Sequence, residues 1–214
     1  VSDVEIYKSS IPSQYGGRIS SVLNISGKEA NKEKFVGVAG IGLLTSELNL
    51  EIPLWKERTS LLLSGRTTYS DWIMGMLPEK SGYKDGKAGF YDIGATFSHT
   101  FNNKHKLNLY GYYSRDRFAF NDNEKYGYGN MNLSAHWRAI LSDQLIANFS
   151  AGYDHYDYKN DETVDSVQAA RLSFSIDQYF AKANFNWELD KHKLNFGAST
   201  LLYNIGAGTY EPLG

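Results

Sequence analysis

The side chains best placed to do chemistry at neutral pH are five histidines, His99, His105, His136, His155 and His192. They are scattered. No pair has the i, i+4 helical or short-loop spacing that a metal site needs. Asp116, Asp122, Asp154, Asp157, Asp161, Glu162 and Asp165 crowd toward the ends of expected loops. Residues 157–165 lack the D-x-[DN]-x-[DN]-G spacing of a calcium loop, so a solvated outer surface is the better reading. There is no G-x-S-x-G elbow, no H-E-x-x-H and no P-loop, and nothing orders the serines and histidines as a triad. The sequence therefore points away from an enzyme, with no catalytic residue, metal or cofactor expected. Tyrosine is the unusual reagent, with 16 in 214 residues. Tyr110, Tyr112, Tyr156 and Tyr158 share a phase with Asn108, Asn148 and Ser150, and Tyr126 and Tyr128 stand nearby. On an inner face such rings can stack on a sugar or an aromatic chelate while the hydroxyl hydrogen-bonds. At a membrane interface they would only anchor the wall.

Composition narrows what could hold these residues. A net charge of -2 and a pI near 6.2 leave no basic footprint for nucleic acid. With 42% hydrophobic and 21% charged residues the chain is not disordered. Cysteine is absent, which removes disulfide scaffolds and thiolate metal sites. The longest apolar run, residues 72–77, is far short of the roughly 18 residues of a spanning helix. The mean hydropathy of -0.44 has a soluble look, yet barrel strands alternate lipid-facing and lumen-facing residues and average out low. The excess of tyrosine, with 20 glycines and only 4 prolines, suits a strand-rich wall with aromatic girdles.

The elements follow from periodicity. Residues 3–8 alternate and predict a strand. Pro12 and the Gly16–Gly17 pair predict a turn over 11–17, and 19–25 a second strand. Residues 27–34 form a polar linker whose largest apolar side chain is Ala30. From Phe35 onward the period is two. Nine strands are predicted, over 35–44, 47–54, 58–69, 90–101, 106–117, 127–141, 144–158, 169–189 and 194–205. Leu133, Ala135 and Trp137 oppose Ser134, His136 and Arg138 in one of them; Ala147, Phe149 and Ala151 oppose Asn148 and Ser150 in the next. Within 169–189 the apolar set changes phase, from Leu172, Phe174 and Ile176 to Tyr179, Ala181, Phe185 and Trp187. That predicts a bulge near Asp177–Gln178. Ser70–Asp71 is placed to cap one short helix running through Leu77.

Connection lengths sort by rim. Residues 53–57, 102–105, 142–143 and 190–193 are short turns, and 70–89, 118–126 and 159–167 are longer loops; the hairpin at Thr45–Ser46 is the exception. Short turns on one rim and long loops on the other are the pattern of a transmembrane barrel, with the short side periplasmic. Strands of about ten residues can cross a bilayer at a steep tilt. Trp137, Leu141, Trp187 and Leu189 fall near the short-turn ends, where an interfacial belt sits. The fold class expected is all-β: about nine strands of a larger antiparallel transmembrane barrel.

Residues 3–25, DVEIYKSSIPSQYGGRISSVLNI, resemble the end of the plug domain in TonB-dependent outer-membrane receptors. There a V-E-V-x-K/R strand leads to a Y-G-G-x turn and an apolar strand just before the barrel. Gly42–Ser46, together with 62–69 and its Gly65–Arg66, is similar to the first barrel strands of bacteroidetes-type members. The resemblance implies a plug end at 1–27, a linker at 28–34 and barrel strands over 35–214, in the bacterial outer membrane. It implies import of a small nutrient, a siderophore, carbohydrate or similar, by plug rearrangement. The implied partners are outer-membrane lipid, the nutrient, and an energy-transducing inner-membrane complex that engages a missing N-terminal part. By the same resemblance the nine strands belong to a barrel of about 22, and the chain is an internal piece without signal peptide, energy-coupling box or closing strand. Lys8 occupies a position where the family often carries a basic residue facing barrel acids, and Arg18 could serve similarly. Glu51, Asp177 or Glu188 are the implied lumen-facing partners, since a buried charge needs one. Three other readings stay open: a small self-contained barrel acting as adhesin or anchor, an outer-membrane hydrolase, and a soluble sandwich that buries Leu61, Phe97, Phe149 and Phe196.

Overall fold

Alternation of side chains governs almost the whole chain. The computed structural model describes residues 2–17, 19–76, 78, 80, 86–121, 123–163 and 169–213. Two short strands, β1 (Asp3–Tyr7) and β2 (Val22–Ser26), pair antiparallel, with Val4 opposite Ile25 and Ile6 opposite Leu23. The link between them passes Pro12, one 3-10 turn at Ser13–Tyr15, and Gly17 at φ 74. That left-handed angle is the one the Gly16–Gly17 pair was expected to supply. Arg18 lies outside the described residues.

Nine strands then form one sheet, each antiparallel to the next in chain order. They are β3 (Val36–Ile41), β4 (Thr45–Trp55), β5 (Thr59–Thr68), β6 (Lys87–Asn102), β7 (His105–Asn121), β8 (Glu124–Ser142), β9 (Leu145–Glu162), β10 (Ala170–Leu189) and β11 (His192–Pro212). The fold is all-β, one wall of an open barrel, with β3 and β11 as unpaired edges. No helix among the described residues is long and apolar enough to cross a membrane.

Among the described residues the other sheet is the two-stranded β1–β2 pair on the inner side, so the outer face has no facing sheet. The buried apolar residues of the wall, with one in the linker, are six alanines, whereas Leu133 and Phe196 are 53% and 52% exposed. Phe149, Phe185 and Phe196 lie side by side along one surface, at centroid distances of 5.9 and 5.2 Å. A sandwich would have interleaved them with a facing sheet. Cross-strand neighbours, not a core, hold this face together.

Register assigns every side chain to a face. Leu50, Leu63, Ala95, Gly111, Leu133, Tyr153, Tyr179 and Leu202 line up across the sheet on the outer face. Glu51, Leu62, Thr96, Tyr110, Ser134, Gly152 and Phe180 line up on the inner one.

Several expectations are corrected. No bulge interrupts the pairing of β10 with β9 near Asp177–Gln178, because Tyr179 opposes Tyr153 and Asp177 opposes His155 in unbroken register. The irregularity sits at Ser173–Ser175 against β11. What changes near residue 178 is the surroundings: below it Tyr179, Ala181, Phe185 and Trp187 face outward, with Phe180 the inward exception, and above it Phe174 and Ile176 face inward against Tyr158 and Tyr156. Asp177 is consequently on the outer face, not the lumen face.

The expected loop over 118–126 is mostly strand, and β7 and β8 are joined by residues 122–123 alone. Asn121 caps this turn, its side-chain oxygen accepting from the Asn123 and Glu124 amides at 2.8 and 3.0 Å. Asn102 does the same for Lys104 and His105 on the opposite rim. Lys159–Glu162 are likewise strand. The rims therefore differ in strand overhang as well as in loop length, since β6 to β11 run 16 to 21 residues, well beyond the ten or so that cross a bilayer. The short helix, α1, spans Asp71–Met74 only. Ser70 makes no side-chain cap there, its hydroxyl donating instead to the Ala88 carbonyl.

Candidate functional site

The inner face of the wall is where segments of the chain converge. In the half nearer the short turns it is lined by Asn108, His136, Asn148, Ser150, Lys182, Asn184 and Asn186, polar at nearly every inward position. Two stretches preceding the sheet lie on this surface.

The first is the 3-10 turn. Lys182 donates to the Gln14 carbonyl at 3.1 Å, and its ammonium stands 5.4 Å from the Tyr15 ring centroid. Tyr15 in turn packs on Tyr7 at 5.6 Å. The second is the linker. Glu51, 9% exposed, accepts from the Lys28 ammonium at 2.5 Å and from the Asn31 amide at 2.7 Å. Lys32 donates to Thr100 at 3.1 Å, and Glu29 pairs with Lys106 and, at 3.6 Å, with Lys32. The linker backbone also ties to the sheet, the Glu57 amide donating to the Lys32 carbonyl at 3.1 Å. Burial works to raise the Glu29 carboxyl, but the hydrogen bond and charge of Lys106, with the charge of Lys32, hold it below its ordinary value.

Between the end of β2 and the wall lies a cleft of about 760 Å³, bordered by Ser26, Gly27, Tyr110, Tyr112, Ser134 and His136. The Tyr110 ring stands edge-on to His136 at 5.2 Å, and a side chain at Gly27 would touch it.

Higher on the inner face the character changes to aromatic. Tyr158 packs on Phe174 at 4.8 Å and on Tyr128 at 5.4 Å, Tyr156 packs on Phe174 at 6.0 Å, and Phe118 meets Tyr126 at 6.4 Å. The four tyrosines singled out from phase thus all face inward but separate into two places. Tyr110 and Tyr112 lie beneath the docked segment; Tyr156 and Tyr158 belong to the aromatic patch above it.

The charged residues singled out from the resemblance are not brought together. Lys8 is exposed and, among the described residues, has no ion pair. Glu51 binds Lys28 rather than Lys8. Glu188, exposed, pairs with Lys193 of the neighbouring strand at 2.8 Å. Asp177 accepts from Tyr153 at 2.6 Å and lies 2.7 Å from the His155 ring, on the outer face. Sequence reasoning missed Lys28, Glu29, Lys32, Lys106 and Lys182, because the linker reads as a solvated polar stretch. The available signal was the density of opposite charges in residues 28–34 beside inward Glu51 and Lys106. Among the described residues no group of three or more His, Asp or Glu side chains is arranged to hold a metal.

No protein-family model matches the chain, and no curated protein matches it. A solved structure of the copper transporter OprC has a similar fold, with a TM-score of 0.72 at 11% identity over 94% of this chain. The chain spans 33% of the length of that protein. Identity this low speaks for the fold alone, one wall of a β-barrel.

Proposed function

We propose that the chain is the plug exit and first wall of a TonB-dependent outer-membrane importer of a small nutrient. One observation carries the reading: a single wall whose lower half has grease outside and amides, hydroxyls and charges inside, on whose inner face the preceding segment is docked by hydrogen bonds and ion pairs. A self-contained adhesin or anchor would need the outer band but not a displaceable segment against the lumen. Contacts of this kind, polar and partly solvated, are each worth about a kcal/mol or less. A pulling force applied upstream can separate them one after another while the wall, held by its continuous ladders of backbone hydrogen bonds, stays in place. The linker, tied at Glu51, Glu29 and Lys32, is the hinge between the part that moves and the part that does not. The cleft under β2 and the aromatic patch above it are the surfaces a solute would meet in passing. The short-turn rim is periplasmic in this reading and the overhanging rim faces the exterior. The copper specificity of OprC is not carried over, since among the described residues no group of three or more His, Asp or Glu side chains is arranged to hold a metal.

No cysteine occurs in these 214 residues, so one placed here is unique among them. Ser134→Cys, inside the cleft beneath β2, is introduced into the complete natural polypeptide in cells, with any cysteine outside these residues replaced by serine. Its labelling by a membrane-impermeant maleimide is followed with and without an uncoupler. Labelling several-fold faster in energised cells is expected; a rate indifferent to the uncoupler would sink the importer reading and leave the anchor.

A further inference from the structure

The outer face ends differently at its two rims. At the short-turn rim it ends in rings, with His99 against Trp55 and Phe101, and Trp137 against His105 and Phe149. At the other rim a row of outward tyrosines, Tyr91, Tyr113, Tyr153 and Tyr179, comes first, and the outward positions just above turn cationic. Strand pairing sets Arg115 next to Tyr91, Arg117 between Gly89 and Gly127, and both Lys87 and Lys125 against Ala119. Lys159 and Arg171 continue the row on β9 and β10.

Two of these six cations are neutralised within the wall. Arg115 pairs with Asp157, and Arg171 grips Asp161 through two nitrogens at 2.6 and 2.7 Å. Lys87, Arg117, Lys125 and Lys159 are exposed and, among the described residues, have no acid within 4.0 Å. Three of them, Lys87, Arg117 and Lys125, border one cleft of about 420 Å³ with Gly89 and Tyr91; Asp71 is the acid on its lining. Strands lie about 4.8 Å apart, so Lys87 and Lys125 rise from positions roughly 10 Å apart, on either side of the strand carrying Arg117. The small residues Gly89, Ala119 and Gly127 leave a shelf among them. Like charges held this close repel one another, and a doubly charged oxyanion seated on the shelf would relieve all three at once.

We propose that Lys87, Arg117 and Lys125 form a binding site for the phosphate group of a membrane lipid headgroup. This rests on the barrel-wall reading, and the occupant follows from what lies directly below the site. Ile93, Tyr113 and Leu133, 58%, 37% and 53% exposed, continue the same surface downward and offer acyl chains an apolar track. A soluble phosphate compound would use the cations and leave that track idle.

The test uses the complete natural polypeptide in nanodiscs of phosphatidylcholine, with or without a minor fraction of phosphatidic acid, and counts retained phosphatidic acid by native mass spectrometry. The wild type retains it. The triple variant Lys87→Gln, Arg117→Gln, Lys125→Gln is expected to bind it roughly 100-fold more weakly, at about fivefold per cation. Lys182→Gln, on the inner face, retains it as the wild type does. Equal retention by the triple variant, or an equal loss in Lys182→Gln, overturns the site. So does tight binding of inorganic phosphate by lipid-free protein in detergent, which would make the cations a site for soluble phosphate. Quenching of Trp137 and Trp187 by brominated lipid is read in parallel. Normal quenching without phosphatidic acid preference overturns the headgroup site alone, whereas absence of quenching overturns the barrel wall and the site with it.

Discussion

The lower and upper halves of this wall are built from the same strands in the same register, yet their two faces exchange character. In β9 the outward residues run Leu145, Ala147, Phe149, Ala151 and Tyr153, then His155, Asp157, Lys159 and Asp161. The inward residues of that strand run Asn148 and Ser150, then Tyr156 and Tyr158. β10 repeats the exchange, with Phe185 and Tyr179 outward below and Phe174 inward above. An antiparallel strand cannot rotate its side chains without a bulge, and none occurs at the boundary. The environment must therefore change instead. In the barrel-wall reading proposed above, hydrocarbon against the outer face of the lower half and a wet, charged zone against that of the upper half account for it. The sheet pairing is indifferent to the exchange, because backbone hydrogen bonds run on through it.

This contrast can be broken most sharply with charge. Ala151→Arg puts a cation in the middle of the outward apolar band and should cost about 2–4 kcal/mol of bilayer-folded stability. Ser175→Arg, outward but above the boundary, should cost no more than about 1 kcal/mol. Urea titration of the protein folded into lipid vesicles measures both. Equal costs would abolish the distinction between the halves.

A smaller effect is expected at the polar inner face of the lower half. Glu51→Gln weakens the ammonium pair with Lys28 and the charge-assisted bond from Asn31, at about 1–3 kcal/mol for a largely buried acceptor. Faster amide exchange over residues 28–34 is the readout. Glu188→Gln, at an exposed pair, should change stability by less than about 0.5 kcal/mol. If the two variants behave alike, the linker is not held by its buried acceptor.

The smallest effect comes from pH. The Glu29 carboxyl is held below its ordinary value in the docked state, so its contribution is fully present above that ordinary value and is lost as pH falls through the docked one. Linker exchange, corrected for its intrinsic pH dependence, should be unchanged between about pH 7 and pH 5.5. It should rise below about pH 4, by an amount worth about 1 kcal/mol or less. A change centred near neutrality would assign the effect to another group.

Much of the fold was legible because period-two alternation is a local property. All nine strands of the sheet were placed by it, along with the outward sets Leu133–Ala135–Trp137 and Ala147–Phe149–Ala151. The Asn102 turn and the Gly16–Gly17 turn were legible because their chemistry is contained within a few residues. Strand ends at 118–126 and 159–162 were not, because polar and tyrosine-rich residues there look like loop until cross-strand partners supply their hydrogen bonds. The candidate site was legible only as facing. Tyr110 and Tyr158 were assigned to the inner side by phase, but their separation into a covered pair and an open patch depends on where residues 13–34 come to rest.

From its residues alone this chain determined that it would be a run of long amphipathic strands with an inner and an outer side, since facing follows from alternation without reference to any distant partner. Only the tertiary structure decided which charges meet. Lys28 finds Glu51, Lys106 finds Glu29 and Lys182 finds the Gln14 carbonyl across 23, 77 and 168 positions of sequence, and contacts that far apart are set by how the sheet brings strands together. The same holds for the change of faces near residue 178. A one-dimensional pattern shows that the apolar phase shifts there, but the shift has two physical origins, a bulge or a new environment, and unbroken pairing selects the second.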